Sequence, residues 1–186
     1  MADDKRAASD PLKNQEPDPR MDDFKKAPDQ WKEVAKLEWG GDRTAASSLQ
    51  TLIMDADVSQ YPVLEKKLLD LLADSKATDI GRDFACRMLR LVGTSASVPA
   101  LSKLLADEKS ADSARYALQL IPGAETDAAL RAALGTLHAK AKAGLIGTIS
   151  ARGDKEALAA ITACASEDGE AGAAAAQAIK TLGGAQ

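Results

Sequence analysis

The sequence predicts an all-α fold, an α-solenoid of about five stacked antiparallel helical hairpins. Glycine recurs every 30 residues, at positions 93, 123, 153 and 183. Each block between these glycines holds two apolar stripes at helical spacing, separated by a short polar break. No stretch shows the period-two alternation of a half-buried strand. A single hairpin cannot bury its own stripe, so the repetition favours a stack; an ordinary bundle with chance glycine spacing is the alternative.

The block that begins at Gly93 shows the repeating unit most clearly. Its first helix is predicted over 97–107, with Ser97 as the N-cap. Its second helix is predicted over 111–121 and ends at Gly123, because glycine accepts a left-handed C-cap. The residues expected to face the core are Val98, Leu101, Leu104, Leu105, Ala114, Ala117, Leu118 and Ile121.

The other hairpins repeat this plan on both sides of that block. Upstream, the predicted ranges are 31–39 with 44–56, and 61–92, where residues 71–74 repeat residues 104–107 at an offset of 33. Downstream, the residues predicted to face the core are Ala128, Leu130, Leu134, Leu137, Leu145, Ile146, Ile149, Leu158, Ile161, Cys164, Ala174, Ala178, Ile179 and Leu182.

Several segments carry a resemblance to a known repeat family. These are LSKLLAD, RDFACRMLRLVG, VPALSKLLAD and ARYALQLIPGAE. They resemble HEAT-type repeats of the short class of about 30 residues, as in bilin-lyase-like proteins and in HEAT-repeat proteins of planctomycetes and verrucomicrobia. The resemblance covers about residues 44–183. It implies a bacterial protein-interaction scaffold, with a bilin-lyase-like enzyme or enzyme subunit as the alternative; a shifted absorption band with tetrapyrroles would favour the lyase.

Solenoids of this family line their concave side with the second helices, and basic residues stand there in this sequence. The predicted binding residues are Arg82, Arg87, Arg90, Arg115, Gln119, Arg152 and Lys180. Arginine forks pair well with carboxylates, so this row predicts a shallow groove for an acidic segment of a partner protein. Ion pairing of the arginines with Asp79, Asp83 and Asp112 is the alternative, and Arg82 is the member most readily assigned to such a structural role.

The chain is predicted to comprise a tail, residues 1–28, and one repeat domain, residues 29–186. The tail holds four of the seven prolines, six basic and seven acidic side chains, and few large apolar residues. Such a segment buries too little to offset its ordering entropy, so it is expected to be disordered or loosely ordered. A tether or docking segment is the second interpretation.

Composition excludes several classes of function. A net charge of −4 argues against a general nucleic-acid binder, and two residues each of Trp, Tyr and Phe leave few stacking platforms. No apolar run is long enough to cross a membrane. One histidine, with no CxxC, HExxH, phosphate-loop or nucleophile-elbow motif, predicts no metal, no cofactor and no enzymatic activity. Partner identity, oligomeric state and compartment are not indicated.

The heaviest aromatic residues, Trp31 and Trp39, belong to the first predicted helix. A terminal repeat must close the stack, so both are expected to act as a bulky cap, with an exposed docking patch as the alternative. The two cysteines, Cys86 and Cys164, are expected to be small core residues too far apart for a disulfide.

Overall fold

The computed structural model describes residues 28–137 and 139–184. These ranges contain ten α-helices and no strand, which confirms the all-α prediction: α1 (Pro28–Ala35), α2 (Thr44–Met54), α3 (Tyr61–Ala73), α4 (Asp79–Val92), α5 (Val98–Leu104), α6 (Ala111–Leu118), α7 (Ala124–Ala133), α8 (Ala139–Arg152), α9 (Leu158–Cys164) and α10 (Glu170–Gly183). The predicted disordered tail lies outside the described residues apart from Pro28, as does His138.

The helices pack in sequential pairs, and the even-numbered helices also pack in a row. Each odd-numbered helix contacts the helix that follows it, from α1 with α2 to α9 with α10. Helix α2 contacts α4, α4 contacts α6, α6 contacts α8, and α8 contacts α10; on the other side α5 contacts α7. The even-numbered helices, called second helices below, therefore form one continuous row.

Neighbouring second helices run in the same direction. Near the starts of α4 and α6, the hydroxyl of Ser113 donates a hydrogen bond to the carboxylate of Asp83. At their far ends, a Cβ placed on Gly93 would lie 2.9 Å from Cδ1 of Ile121. Residues that occupy matching places along α4 and α6 therefore lie side by side on the surface.

The core is one apolar cluster that extends from Val34 to Leu182. Most residues predicted to face inward are buried, including Leu101, Leu118 and Leu145. Ala128 is exposed, so its predicted place in the core is wrong. Four others are only partly buried and pack at the edge of the cluster: Leu104, Leu158, Ala174 and Ile179.

Three odd-numbered helices, α3, α5 and α9, are each preceded by a short 3-10 turn. The turns cover Val58–Gln60, Ser95–Ser97 and Lys155–Ala157, and each is capped by the residue before it, Asp57, Thr94 or Asp154. Each capping side chain accepts a hydrogen bond from the backbone N–H two residues later. The prediction that Ser97 caps α5 is wrong, because its side chain makes no capping hydrogen bond and points elsewhere.

The buried carboxylate of Glu65 in α3 holds the turn that starts α5. It accepts hydrogen bonds from the Thr94 backbone N–H at 2.7 Å, from the Thr94 hydroxyl and from the Ser97 hydroxyl. A negative charge at this place also interacts favourably with the positive, N-terminal end of the α5 helix dipole. This single side chain therefore ties the α3–α4 pair to the α5–α6 pair.

A second tie of the same kind joins the last two helix pairs. In α7, Nη1 of Arg131 donates to both carboxylate oxygens of Asp154, at 2.8 and 2.7 Å, and Nη2 lies 3.0 Å from Oε2 of Glu156. The Asp154 side chain is only 6% exposed, so its charge is paired within the fold. Hydrogen bonding to Asp154 raises the pKa of Arg131. Through these contacts, α7 holds in place the turn that starts α9.

The regularly spaced glycines do not share one role. Gly93 ends α4 in an extended conformation, with φ −71°, and Gly123 stands directly before α7 with φ 110°. The prediction that Gly123 is a left-handed C-cap is therefore wrong, because α6 already ends at Leu118. Only a glycine takes the Gly123 backbone angle without strain, so this position fixes the bend between the two helices.

The two tryptophans differ in their surroundings. Trp31 is partly buried against the core, whereas Trp39 is 88% exposed in the connection between α1 and α2. The prediction that Trp39 helps to cap the stack is therefore wrong. The end of α1 instead contacts the residue before α4. Thr78 donates hydrogen bonds from Oγ1 to the Leu37 carbonyl at 2.6 Å and from its N–H to the Ala35 carbonyl at 2.9 Å. None of the helices described is long and apolar enough to cross a membrane.

We expect Glu65→Ala to lower the free energy of unfolding by about 2–3 kcal/mol, because it leaves three donors without their charged acceptor. Asp70→Ala is the matched control: Asp70 also lies on α3, but it is exposed and pairs only with Lys66, at 3.0 Å, so its loss should cost at most about 0.5 kcal/mol. Chemical denaturation of both variants measures the difference. Equal midpoints would contradict the role assigned to Glu65.

We expect the C-terminal pair, α9 and α10, to open before the rest of the fold. Four of the five buried residues of α10 are alanine or glycine, which bury little apolar area, and among the described helices this pair packs against the preceding pair alone. Two buried free thiols report on opening: Cys164 in α9 and Cys86 in α4, where burial raises the pKa to about 12. In native protein Cys164 should react with a thiol reagent roughly tenfold or more faster than Cys86, as peptide mass spectrometry would show. Equal rates, or faster labelling of Cys86, would contradict this expectation.

Candidate binding surface on the second helices

Two of the predicted binding arginines are engaged within the fold. Arg82 donates from Nη2 to the Asp74 carbonyl at 3.2 Å and lies 4.0 Å from the carboxylate of Asp79. Arg115 donates from Nη1 to Oγ1 of Thr148 in α8, at 2.9 Å, and pairs with Asp112 at 3.2 Å. The contacts with Asp79 and Asp112 match the ion-pairing alternative, whereas Asp74 lies in the connection between α3 and α4 and Thr148 in the next second helix.

Arg152 is the most deeply engaged of the predicted residues. Its side chain, only 11% exposed, pairs through Nε with Asp127 at 2.6 Å. Its Nη1 lies within 3.0 Å of the carbonyl oxygens of Leu118, Gln119 and Ile121. These carbonyls stand at the end of α6, where the helix leaves its last acceptors unpaired. Arg152 therefore caps α6 from α8 and presents little to a partner.

Arg87 and Arg90 are the predicted residues that lie together at the surface. Arg87 is 38% exposed, and its Nε lies 3.0 Å from Oδ2 of Asp83, one turn earlier in α4. The guanidinium of Arg90 lies over the ring of Tyr116 in α6, with Cζ 4.2 Å from the ring centroid. Within the described ranges, no carboxylate lies within ion-pair distance of Arg90, and its buried Nε has no hydrogen-bond partner.

The remaining two predicted residues lie away from this pair. Gln119 is half-buried just after α6, and its backbone carbonyl is among the acceptors of Arg152. Lys180 is exposed on α10, at the other end of the row of second helices. The continuous basic row predicted from the sequence is thus not assembled, and its accessible part is centred on Arg87 and Arg90.

Exposed apolar side chains surround this pair of arginines. Leu91 is 44% exposed, Tyr116 is 40% exposed and Leu120 is 51% exposed. Leu91 follows Arg87 by one turn of α4, and Leu120 follows Tyr116 by one turn. Since α4 and α6 run in the same direction, these residues share one surface. We call Arg87, Arg90, Leu91, Tyr116 and Leu120 the α4–α6 patch.

The apolar part of the α4–α6 patch was not found from the sequence. Leu91 stands seven residues after the buried Phe84, a spacing that favours the inward side of α4, but Leu91 is exposed. Spacing alone does not settle its face, because Leu91 also stands four residues after the partly exposed Arg87. Tyr116 lies on the side of α6 opposite Ala114, and Leu120 stands in the turn just after α6.

The described residues offer little reactive chemistry. No group of three or more His, Cys, Asp or Glu side chains within residues 28–137 and 139–184 could hold a metal ion. Burial raises the pKa of both cysteine thiols, which disfavours the reactive thiolate. The α4–α6 patch combines aromatic, aliphatic and guanidinium groups, which are the groups enriched where proteins contact each other.

We expect Arg152→Ala to destabilise the fold by about 2–3 kcal/mol, because it removes a charge-assisted cap from three carbonyls and leaves Asp127 unpaired. Lys180→Ala is the control for loss of a basic residue, and its exposed position should keep the change within about 0.5 kcal/mol. Thermal and chemical denaturation would measure both. If the two variants melted alike, Arg152 would not hold the end of α6.

Comparisons with models of known protein families, with curated proteins and with solved structures gave no match to this chain.

Proposed function

We propose that this protein is a non-catalytic interaction scaffold, an α-solenoid of HEAT-like hairpins that binds another protein on the exposed faces of its second helices. The packing of each second helix on the next supports the solenoid arrangement. The 3-10 turns that begin three of the helix pairs with the same capping geometry support a repeated unit.

One observation carries the binding role, the exposure of Leu91, Tyr116 and Leu120 on adjoining second helices. Scattered exposed apolar residues are normal in proteins, but adjoining ones next to arginines are typical of interaction sites. The helices beneath them are firmly packed, with Phe84, Leu89 and Leu118 almost fully buried. A partner would therefore meet a preorganised surface and lose little free energy in ordering it.

The chemistry of the α4–α6 patch favours a partner segment with both apolar and acidic side chains. The three apolar residues supply area to bury, and Arg90 supplies a guanidinium without a carboxylate partner among the residues described. Arg87 already has Asp83 beside it, so it contributes a weaker attraction. The proposal thus keeps an acidic partner segment but assigns most of the binding free energy to apolar contact.

The test compares partner capture by the wild-type chain and by two double variants. Leu91→Asp with Leu120→Asp places carboxylates in the α4–α6 patch. Val58→Asp with Val63→Asp is the matched control, since both valines are exposed but lie at the start of α3. Some proteins in a lysate of the source organism should bind both the wild type and the control. These proteins should not bind the patch variant, or should bind it at least about tenfold more weakly.

Circular dichroism and thermal melting must first show that both variants fold, as expected for exposed substitutions. A partner that binds the patch variant as well as the wild type would contradict the location of the site. If neither the wild type nor the control retained any protein above the level of bare resin, the scaffold function itself would be contradicted.

A further inference from the structure

We propose that Trp39 of one molecule binds the α4–α6 patch of a second copy of this chain, so that copies join head to tail. Within the described ranges, Trp39 is the most exposed large apolar side chain, at 88%. The inference rests on the proposed function in using the same patch, and it adds a ligand for that patch from the chain itself.

Trp39 stands at the tip of a well-defined turn between α1 and α2. The N–H of Gly41 donates a hydrogen bond to the Glu38 carbonyl at 3.0 Å, which closes a β-turn with Trp39 at its second position. Gly40 follows with φ 78°, the angle that the third position of a type II turn requires. A Cβ on Gly40 would meet no atom within 4 Å, so the tip stands clear of the fold. The indole is therefore presented to solvent by a defined turn.

Hydrogen bonds anchor this turn on both sides. Before it, the Leu37 carbonyl accepts from Oγ1 of Thr78 at 2.6 Å. After it, the Asp42 carboxylate accepts from the N–H of Thr44 at 2.9 Å and from the Thr44 hydroxyl at 2.6 Å. A side chain held on an anchored turn loses little conformational freedom when it binds, so more of the contact free energy remains as affinity.

The indole and the patch lie at different ends of α4. Leu37, two residues before Trp39, contacts Thr78, and Thr78 stands directly before α4. Leu91 lies near the end of α4, about 20 Å further along the helix axis. Trp39 and Leu91 are both exposed, so the two surfaces do not cover each other within one molecule. A contact between them therefore joins two molecules.

The groups on the patch suit an indole ring. Among aromatic side chains, Trp interacts most strongly with a guanidinium, and Arg90 presents one that is already held over the Tyr116 ring. Leu91 and Leu120 supply exposed apolar area beside it. Trp, Tyr and Arg are also the residues that dominate binding free energy where proteins meet. Burying Trp39 here removes apolar surface of both molecules from water.

The turn that carries Trp39 has a small negative charge. Residues 33–43 contain three acids and two bases, a net charge of −1: Glu33, Glu38, Asp42, Lys36 and Arg43. Lys36 lies 3.9 Å from Glu33, so the charges nearest the indole are mainly acidic. Hydrogen bonding from Thr44 lowers the pKa of Asp42, which keeps this carboxylate ionised at neutral pH.

The patch has the opposite charge, because Arg87 and Arg90 outnumber Asp83, which pairs with Arg87 at 3.0 Å. This difference favours the approach of the turn, while apolar contact supplies the affinity. A single Trp buries about 150–250 Å². Stable complexes bury about 1,200–2,000 Å² in total, so the association is weak and depends on protein concentration.

Such a contact uses two different surfaces, so each molecule keeps one free indole and one free patch. Repetition of the contact produces a ring or an open chain. A partner protein would compete with Trp39 of a second copy for the patch, and its apparent affinity would fall by the fraction of patches already occupied. Self-association would thus regulate access to the proposed binding surface.

Sedimentation of donor-only and acceptor-only variants tests the head-to-tail contact. Trp39→Ser removes the indole and keeps the patch, whereas Leu91→Asp with Leu120→Asp, the patch variant, keeps the indole. Between about 10 µM and 1 mM, the weight-average mass of the wild type should rise, and each variant alone should remain monomeric. Their equimolar mixture should form a one-to-one complex and nothing larger. Met54→Ser, at a side chain that is 63% exposed, is the matched control and should associate as the wild type does.

An amide and indole spectrum identifies the contact directly, even when binding is weak. The ¹⁵N-labelled patch variant gives indole N–H signals from Trp31 and Trp39. Unlabelled Trp39→Ser protein, which has an intact patch, should shift the Trp39 signal and leave the Trp31 signal unchanged. Unlabelled patch variant, added at the same concentration, should shift neither signal.

Three outcomes would overturn the inference. A wild type that stays monomeric across the range would show that copies do not associate. Association of Trp39→Ser equal to that of the wild type would assign the contact to another element. A mixture that stays monomeric, with an unshifted Trp39 signal, would show that the indole does not bind the patch. If an outside partner were still lost with the patch variant in any of these cases, the proposed function would stand without this inference.

Discussion

The packing of the second helices against one another in one row is the constraint on which the rest of this structure depends. Helix α4 has only a narrow exposed strip, because it contacts α1, α2, α3 and α6. Seven of its fourteen residues are buried, from Gly81 to Val92. No single pair of helices could bury so much apolar surface alone, so the stability of each pair is shared with the next. In the interior of the row, this packing leaves α4 a narrow exposed strip to offer to a partner.

Polar side chains hold the helix pairs in register where the apolar core cannot. Apolar contacts are non-directional and would tolerate a small slide of one pair along the next. Glu65 and Arg131 act against such a slide, because each reaches from an odd-numbered helix to the turn that starts a later one. Arg152 does the same between α8 and the end of α6. Arg152, which the sequence predicts as a binding residue, thus holds two helices of the fold together.

The sequence predicted the helical class and most of the core because both follow from local periodicity. Leu101, Leu118 and Leu145 occupy inward positions of their helices, and each is buried as expected. Spacing along one helix does not settle the position of Leu91, because Leu91 stands at helical spacing from both the buried Phe84 and the partly exposed Arg87.

Contacts between residues distant in sequence could not be read in the same way. The Nη1 of Arg152 lies near carbonyl oxygens 31 to 34 residues earlier, and the Ser97 hydroxyl donates to Glu65, 32 residues away. Nothing in the local pattern distinguishes Arg152 from Arg87, yet one is enclosed and the other is 38% exposed. The outline of the proposed binding surface depends on that difference, so it follows from the packing of neighbouring helices and not from local spacing.

The position of the α4–α6 patch within the row also bears on how it could work. Helix α4 buries Phe84, Met88 and Leu89, whereas α10 buries mainly alanine and glycine, so the interior of the row and its C-terminal end differ in packing. A binding surface on α4 and α6 therefore rests on the better-packed part, where local opening costs the most free energy. The thin C-terminal pair can open without moving Leu91 or Tyr116. If the C-terminal pair opens first, as expected, the proposed binding surface stays on helices that remain packed.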